Sequence, residues 1–358
     1  MATKVATKQF SSRFPDIPSS HWREALGFRL SSIGMGTYLG DPDKETDEAY
    51  TRAVKQAISL GVNVIDTAIN YRFQRSERSI GAAIASGEFD RDEILLCTKG
   101  GFFSFDGGPP KEVTQWLSDT FTGVMNPSDV VGGCHCMTPK YLRHQIDQSL
   151  RNLQVDSIDV YYLHNPEIQL DHVDPEEYAR RIAAAFETFE EGVERRKIGC
   201  YGTATWDTYR VSPEAHNHTS IEKMVEIARS VGGENHHFRV IQLPLNMMMT
   251  EALGEKTQTV KGRPCTAIEA AAEFGLAVFT SVPLMQSRIL GGVPDPVREQ
   301  FSPLEEDSQR AIQFARSAPG VVAPLVGMKS RNHIFENLKT IDVPPLSERS
   351  FYELFPEA

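Results

Sequence analysis

Short apolar runs alternate along this chain with longer segments in which apolar residues recur every three to four positions. The two periods predict strands and helices in turn. Strands are expected near residues 30–36, 61–66, 94–99, 158–164, 198–203, 238–243, 276–282 and 321–326. Helical patterns lie between them at Lys44 to Leu60, Ser76 to Ala85, Pro139 to Leu153, Pro175 to Arg196, Ser220 to Ser230, Ala267 to Phe274, Glu305 to Ala315, and Arg331 to Leu338. Regular alternation of this kind predicts a parallel α/β fold, here a (β/α)8 TIM barrel with long loops on the face formed by the strand C-termini.

The helix from Pro139 has a clear start, because Thr138 can cap free amides and proline tolerates the first helical position. Tyr141, Ile146, Leu150 and Leu153 then give it one apolar face to lay on the barrel. No Pro/Ser-rich linker, fixed-period repeat or low-complexity tract marks an internal boundary. The expected division is an N-terminal extension or barrel cap at 1–29, one barrel at 30–340 and a C-terminal tail at 341–358. The barrel includes a long loop, 100–137, rich in glycine and aromatic residues, which is expected to cover the substrate because loops of that length are usually functional.

Composition narrows the function. A chain of 358 residues, 40% hydrophobic and 24% charged, suits one barrel, which typically needs about 250 residues before insertions. Lys and Arg total 37 against 48 Asp and Glu, a net charge of −11, so neither nucleic acid nor an anionic membrane is an expected partner. The five cysteines are odd in number and show no disulfide framework, and no secretory leader opens the chain, so the cytoplasm is the expected location. Lys4, Lys8 and Arg13 in an acid-free start leave an organelle-targeting reading open.

Candidate chemistry gathers at strand ends. Asp66 closes Gly61-Val-Asn-Val-Ile-Asp66, Tyr71 follows five residues later, Lys99 closes Glu93-Ile-Leu-Leu-Cys-Thr-Lys99, and His164 closes Ser157-Ile-Asp-Val-Tyr-Tyr-Leu-His164. In a barrel all of these reach the active-site face. A tyrosine can exchange a proton with a substrate oxygen if its pKa, about 10 when unperturbed, is brought toward working pH. A neighbouring lysine favours phenolate, and lowering the pKa by about 3 needs roughly 4 kcal/mol of differential interaction. A neutral histidine can donate a hydrogen bond to the same oxygen. Singly, Asp66 also suits a helix cap, Tyr71 a core aromatic, Lys99 a surface charge and His164 a satisfied barrel histidine. The ordered set favours chemistry.

The chain resembles the aldo-keto reductases from about Leu30 to Lys339. The resemblance rests on Gly34-Met-Gly36-Thr37, Asp66-Thr-Ala-x-x-Tyr71, Ser76-Glu77, Lys99, Asp159-x-x-x-x-His164, Gln242-x-x-x-Asn246 and Glu336-Asn337, in that order. It implies an NAD(P)-dependent oxidoreductase that interconverts a carbonyl and an alcohol. Tyr71 would be the acid/base, Lys99 its tuner, Asp66 the residue that orients Lys99, and His164 the carbonyl polariser. Gly36, Thr37 and Asp66 would also touch the cofactor, Gln242 would hold the nicotinamide carboxamide, and Glu336 and Asn337 would meet the adenine end. Three positions depart from the family: Ala204-Thr205 stands for Ser-Asn, Ser281 replaces the aromatic that stacks on nicotinamide, and His333 stands where relatives carry Gln or Arg. Trp206 and Met285 are candidate replacements for the lost stacking partner.

No dinucleotide fingerprint of the Rossmann kind is present, since Gly34-Met-Gly36 lacks the third spaced glycine. Barrels commonly bind phosphate after strands 7 and 8, and Lys329-Ser330-Arg331 begins the last helix there. Two cations and a hydroxyl at that point favour NADP(H), with NAD(H) possible. The expected partner is a small carbonyl, alcohol or sugar.

Cys134-His135-Cys136 invites a zinc reading, but structural zinc uses wider, paired spacings, so loop packing is favoured and no metal is expected. The acidic stretch Glu187, Glu190, Glu191 and Glu194 reads as solvent-facing, as do His236 and His237. Two rival functions remain, an NAD(P)-dependent aldose 1-dehydrogenase and a nucleotide-binding sensor or scaffold with little turnover. Free sugars tested against aldehydes separate the first, and nucleotide binding without turnover marks the second.

Overall fold

Eight apolar runs pair in parallel, each with its sequence neighbour, and the last pairs back to the first. This computed structural model describes residues 1–355. The barrel strands are β1 (Gly34–Gly36), β2 (Val64–Asp66), β3 (Leu95–Gly100), β4 (Ile158–His164), β5 (Ile198–Ala204), β6 (Phe238–Pro244), β7 (Ala277–Ser281) and β8 (Val321–Gly327). Each is followed by an outer helix: α1 (Lys44–Ser59), α2 (Arg75–Ala85), α3 (Pro139–Leu153), α4 (Pro175–Glu194), α5 (Ile221–Gly232), α6 (Ala267–Glu273), α7 (Asp307–Ser317) and α8 (Arg331–Leu338).

Strand alternation sorts the core into two layers. Val64, Leu95, Cys97, Val160, Tyr162, Val240, Phe279 and Leu325 fill the barrel interior. Ile65, Leu96, Tyr161, Leu163 and Ile241 face outward and join the larger core under the helices. Burying a Val, Leu or Ile side chain completely is worth about 1.5–3 kcal/mol, so both layers favour the same strand register. A one-residue slip would exchange them. The inward parity of Val64, Cys97, Tyr162 and Val240 continues to Asp66, Lys99, His164 and Gln242, bringing four polar side chains to the mouth of the barrel.

The opposite mouth is closed by an antiparallel hairpin, Trp22–Ala25 with Phe28–Ser31. Leu30 belongs to the interior cluster, and Ala25, Leu26 and Phe28 pack against it. The single strand expected at 30–36 is therefore two, broken at Ser32, whose hydroxyl accepts a 2.7 Å bond from the buried Arg316 guanidinium. The strand expected from Gly61 begins at Val64, because Gly61 has a left-handed φ of 93°. Asn63 is used in side-chain bonds to Ser31, Arg29 and Glu93. A second hairpin, Gln258–Val260 with Arg263–Cys265, turns through Lys261 and Gly262. It was not expected from the pattern. The last three residues of the tail expected at 341–358 lie outside the described residues.

Thr138 occupies the N-cap of α3 without a side-chain cap bond. Its hydroxyl meets Cys136 Sγ at 3.4 Å instead, and the helix start rests on Pro139. Glu190 and His236 are not solvated as expected. Glu190 accepts from the Tyr201 hydroxyl at 2.9 Å and pairs with His237 at 2.6 Å, while His236 is buried.

The apolar residues of segment 100–137, which was expected to cover the substrate, pack largely against one another and α3. Phe103, Leu117, Phe121, Met125 and Cys136 form a separate apolar cluster with Tyr141 of α3. Phe121 meets the rings of Tyr141 and His144 at 5.2 and 5.4 Å. Its apolar face is consumed by α3, and among its described residues Phe102 lines the cleft above the barrel.

Candidate active site

Asp66 ends β2, Lys99 lies near the end of β3 and His164 ends β4. Lys99 is fully buried, and its ammonium donates to Asp66 Oδ1 at 2.5 Å and to the Thr67 carbonyl at 2.7 Å. The other carboxylate oxygen of Asp66 accepts from the Gln242 amide at 2.9 Å. Burial works against the Lys99 charge, but Asp66 and Tyr71 outweigh it and hold the ammonium above the ordinary lysine value. Burial pushes the Asp66 carboxyl up, with Lys99 and Gln242 opposing. The pair is an ion pair beneath the cleft floor.

Tyr71 is brought against this pair by an uncommon turn. Arg72, Phe73 and Gln74 all have left-handed backbone, with φ of 49°, 57° and 72°. Such conformations cost roughly 1–2 kcal/mol each outside glycine, so other contacts must hold them. Arg72 donates to the Asp41 and Asp43 carbonyls and pairs with Asp47 at 2.7 Å, and Gln74 donates to the Ser104 carbonyl at 2.9 Å. The Lys99 ammonium is 5.0 Å from the Tyr71 ring centroid. Burial raises the Tyr71 phenol above its ordinary value and Lys99 pulls it back. The lysine acts in the direction expected from sequence, but burial is the larger effect, and Tyr71 rests as the neutral phenol.

His164 lies on the other side of Tyr71, with ring centroids 5.9 Å apart. Burial, then the charge of Lys99 and the proximity of His135, hold it well below the ordinary histidine value. It is neutral near pH 7. Its Nδ1 is buried and has no hydrogen-bond partner among the described residues.

These groups open onto a cleft of about 1230 Å³ that runs from Tyr71 and His164 to the N-terminal end of α8. Ordinary small-ligand sites occupy about 300–1,000 Å³, so this one has room for a dinucleotide and a second small molecule. Gly36, Thr37, Asp66, Thr205, Gln242 and Ser281 line it near Tyr71, and Lys329, His333, Glu336 and Asn337 line its far end. Ser330 and Arg331 are not in its wall. The Ser330 hydroxyl caps α8 by accepting from the His333 amide at 3.2 Å, and Arg331 is exposed with its guanidinium 5.5 Å from the Phe335 ring. Glu336 accepts from the Ser308 hydroxyl at 3.0 Å.

Of the two candidate stacking residues, Trp206 lines the cleft with an exposed indole, whereas Met285 does not line it. Met285, Gln286 and Ser287 all have left-handed backbone, which sends the chain away from the regular strand direction. Further lining residues were not anticipated. Tyr38 packs edge-on against Tyr71 at 4.9 Å, and Phe102 against His164 at 4.9 Å. Asn70 and Asn165 also line the cleft. Tyr38 directly follows Gly36-Thr37, a position that was available as a signal. Phe102 had none beyond its nearness to Lys99. Among the described residues no group of His, Cys, Asp and Glu could hold a metal ion, and no helix is long and apolar enough to cross a membrane.

Known proteins resemble this chain in family and in fold. The profile of the Aldo/keto reductase family matches residues 32–228. An uncharacterized oxidoreductase of Bacillus subtilis, YrpG, is 23% identical over 92% of this chain and 94% of its own length. The 6-dehydroglucose reductase of Novosphingobium aromaticivorans is 28% identical over 55% of this chain and 54% of its own. An aldo/keto reductase of Klebsiella pneumoniae, solved with NADP and acetate, shares the fold at a TM-score of 0.64 and 19% identity, with 94% of each chain covered.

Proposed function

This chain belongs to the aldo/keto reductase family, and from that membership we propose that it interconverts a carbonyl and an alcohol by hydride transfer with NADP(H), using Tyr71 as general acid and base. The observation that carries the reading is the buried Asp66–Lys99 ion pair beside Tyr71, with neutral His164 opposite.

Tyr71 donates its phenolic proton to the substrate oxygen as the carbonyl is reduced and takes it back in the oxidative direction. The phenolate left behind faces Lys99. A unit charge at about 5 Å, with an effective dielectric near 20, is worth about 3 kcal/mol, enough to offset much of the effect of burial on Tyr71. His164, being neutral, donates a hydrogen bond to the same oxygen without adding a competing charge. Asp66 holds Lys99 in place, and Gln242 holds Asp66.

Bound NADPH would supply the hydride to the carbonyl carbon. Gly36, Thr37, Asp66, Thr205, Gln242 and Ser281 would meet its nicotinamide half, and Glu336 and Asn337 its adenine half. Of the two cations at the start of α8, Lys329 is the better placed for an extra ribose phosphate, since it stands in the cleft wall and Arg331 does not.

The test is a fluorescence titration of the purified protein with NADPH and separately with NADH, followed by turnover on aliphatic aldehydes, aromatic aldehydes and free sugars. Sugars are included because one relative is a 6-dehydroglucose reductase. Tyr71→Phe should keep NADPH binding and lower turnover by about 10²- to 10⁴-fold, the usual contribution of a general acid. Binding of neither nucleotide by folded protein would overturn the reading.

A further inference from the structure

Cys134-His135-Cys136 has no place in the reaction described above, yet it ends in contact with it. Gly132 and Gly133, with left-handed φ of 58° and 68°, turn the chain back. The strip that follows pairs with the residues just after β3, Phe103 donating to the Cys134 carbonyl and Cys136 to the Gly101 carbonyl, both at 2.8 Å. Phe102 and His135 are thereby directly opposed. The two ends of the insertion form one small ribbon against the end of β4.

His135 is fully buried, and both of its ring nitrogens are engaged. Nε2 lies 2.8 Å from the backbone carbonyl of His164, and Nδ1 lies 2.9 Å from the Gln169 amide nitrogen. A carbonyl can only accept, so Nε2 must carry the proton, and Nδ1 must be bare to accept from Gln169. The Gln169 oxygen accepts from Arg181 at 2.5 Å, which fixes the amide orientation on which this tautomer depends. Burial lowers the His135 pKa to about 4, in keeping with a permanently neutral ring.

The carbonyl that His135 engages sits where the chain leaves the barrel, immediately before Asn165, whose φ is 44°. Phe102 packs edge-on to both imidazoles, at 5.3 Å from His135 and 4.9 Å from His164. Gly101 makes the fit possible, since a Cβ there would lie 2.6 Å from His135 Nε2 and 3.3 Å from the His164 carbonyl oxygen. His164 is thus held through its backbone by His135 and at its ring by Phe102.

We propose that the 101–137 insertion is a brace for His164, and that His135 is a positioning residue that sets the His164 ring for reaction. The inference rests on the reading of His164 as the donor to the substrate oxygen. Misplacing a reacting group by about 1 Å can cost about 100-fold, so the effect belongs in turnover rather than in cofactor binding.

Three variants test it. His135→Phe keeps the ring and loses both hydrogen bonds, and His135→Asn stays polar but is too short to reach the His164 carbonyl. His135→Gln places an amide nitrogen near the Nε2 position. The first two should lower kcat by about 10- to 100-fold with the NADPH Kd unchanged within about twofold, and Gln should restore kcat to within about threefold of wild type. The ¹⁵N resonances of the His164 ring, followed in the nucleotide-free protein, should move in Phe and Asn and return in Gln. Should Phe fail to fold, Asn and Gln make the same comparison. Wild-type kcat in all three would overturn the proposal, as would equal losses in all three accompanied by loss of nucleotide binding. If the wild type turns over no carbonyl but the His164 resonances still follow this order, the brace stands and the proposed reaction fails.

Discussion

Gln242 on β6 donates its side-chain amide to Oδ2 of Asp66 on β2 at 2.9 Å, joining residues 176 positions apart. Lys99 already occupies Oδ1, so the carboxylate is held at both oxygens. Sequence resemblance assigned Gln242 to the nicotinamide, but here it also supports the ion pair that tunes Tyr71. Removing it leaves a buried carboxylate oxygen without a donor, which costs about 1.5–3 kcal/mol for a charged hydrogen bond. Gln242→Leu is therefore expected to lose stability by that amount in urea denaturation without nucleotide present. A change smaller than about 0.5 kcal/mol would mean that water replaces the amide.

The Asp66–Lys99 pair itself separates stability from chemistry. Breaking a buried ion pair from one side typically costs about 3–5 kcal/mol, because the other charge is left uncompensated. Lys99→Met should show a loss of that order. The double variant Lys99→Met/Asp66→Asn, with no lone charge to bury, should recover much of the stability. Neither should recover turnover, since Tyr71 has lost its cation in both. Denaturation and steady-state kinetics on the three proteins check the cycle, and equal stability of single and double variants would argue that Asp66 is neutral when Lys99 is absent.

Cofactor choice is expected to rest on Lys329 more than on Arg331. Lys329 lines the cleft, while Arg331 is exposed beside Phe335 and outside its wall. A charge-assisted bond to phosphate is worth about 1.5–3 kcal/mol, so Lys329→Ala should weaken NADPH binding by about 10- to 100-fold and leave NADH nearly unchanged. Arg331→Ala should change NADPH binding by less than about threefold. The reverse order in fluorescence titrations would place the extra phosphate on the outer side of α8.

These assignments show which parts of the molecule its sequence discloses. The barrel was legible because parallel strands buried on both faces read as apolar runs such as Val-Tyr-Tyr-Leu before His164, and because helices such as Pro139–Leu153 carry a period that strands cannot imitate. The convergence of Asp66, Lys99 and His164 followed from their positions at strand ends. Less legible were features set by loop backbone. The break at Ser32 depends on Arg316, 284 residues away. The path of the insertion depends on α3 taking up Phe121 and Met125. Met285 and Arg331 point elsewhere because the direction of a side chain in a left-handed turn, or at an exposed helix start, is not encoded in apolar periodicity. The direction of the Tyr71 pKa belongs here too, since the sequence shows the lysine but not how deeply both groups are buried.

Glu167 gives the sharpest expectation for pH. It follows β4 closely and is buried, with one carboxylate oxygen accepting from the Trp206 backbone amide at 2.5 Å. The other oxygen is buried with no partner among the described residues. Burial pushes its carboxyl up to about 7, against an ordinary value of 4.5. Below pH 4.5 the group is protonated whether the chain is folded or not. Between there and pH 7 the unfolded chain ionises while the folded protein keeps its proton, so stability falls as pH rises, by up to about 1.4 kcal/mol per pH unit. Above 7 the contribution is flat. Glu167→Gln keeps an acceptor for Trp206 and cannot ionise. Its stability advantage over wild type should therefore grow by about 2.5 kcal/mol between pH 5 and pH 8 in urea denaturation. Because the Trp206 indole is exposed in the cleft wall, wild-type tryptophan fluorescence should titrate near pH 7 and the variant's should not. A stability difference that does not change with pH would mean that Glu167 ionises at its ordinary value, with water reaching the unpartnered oxygen.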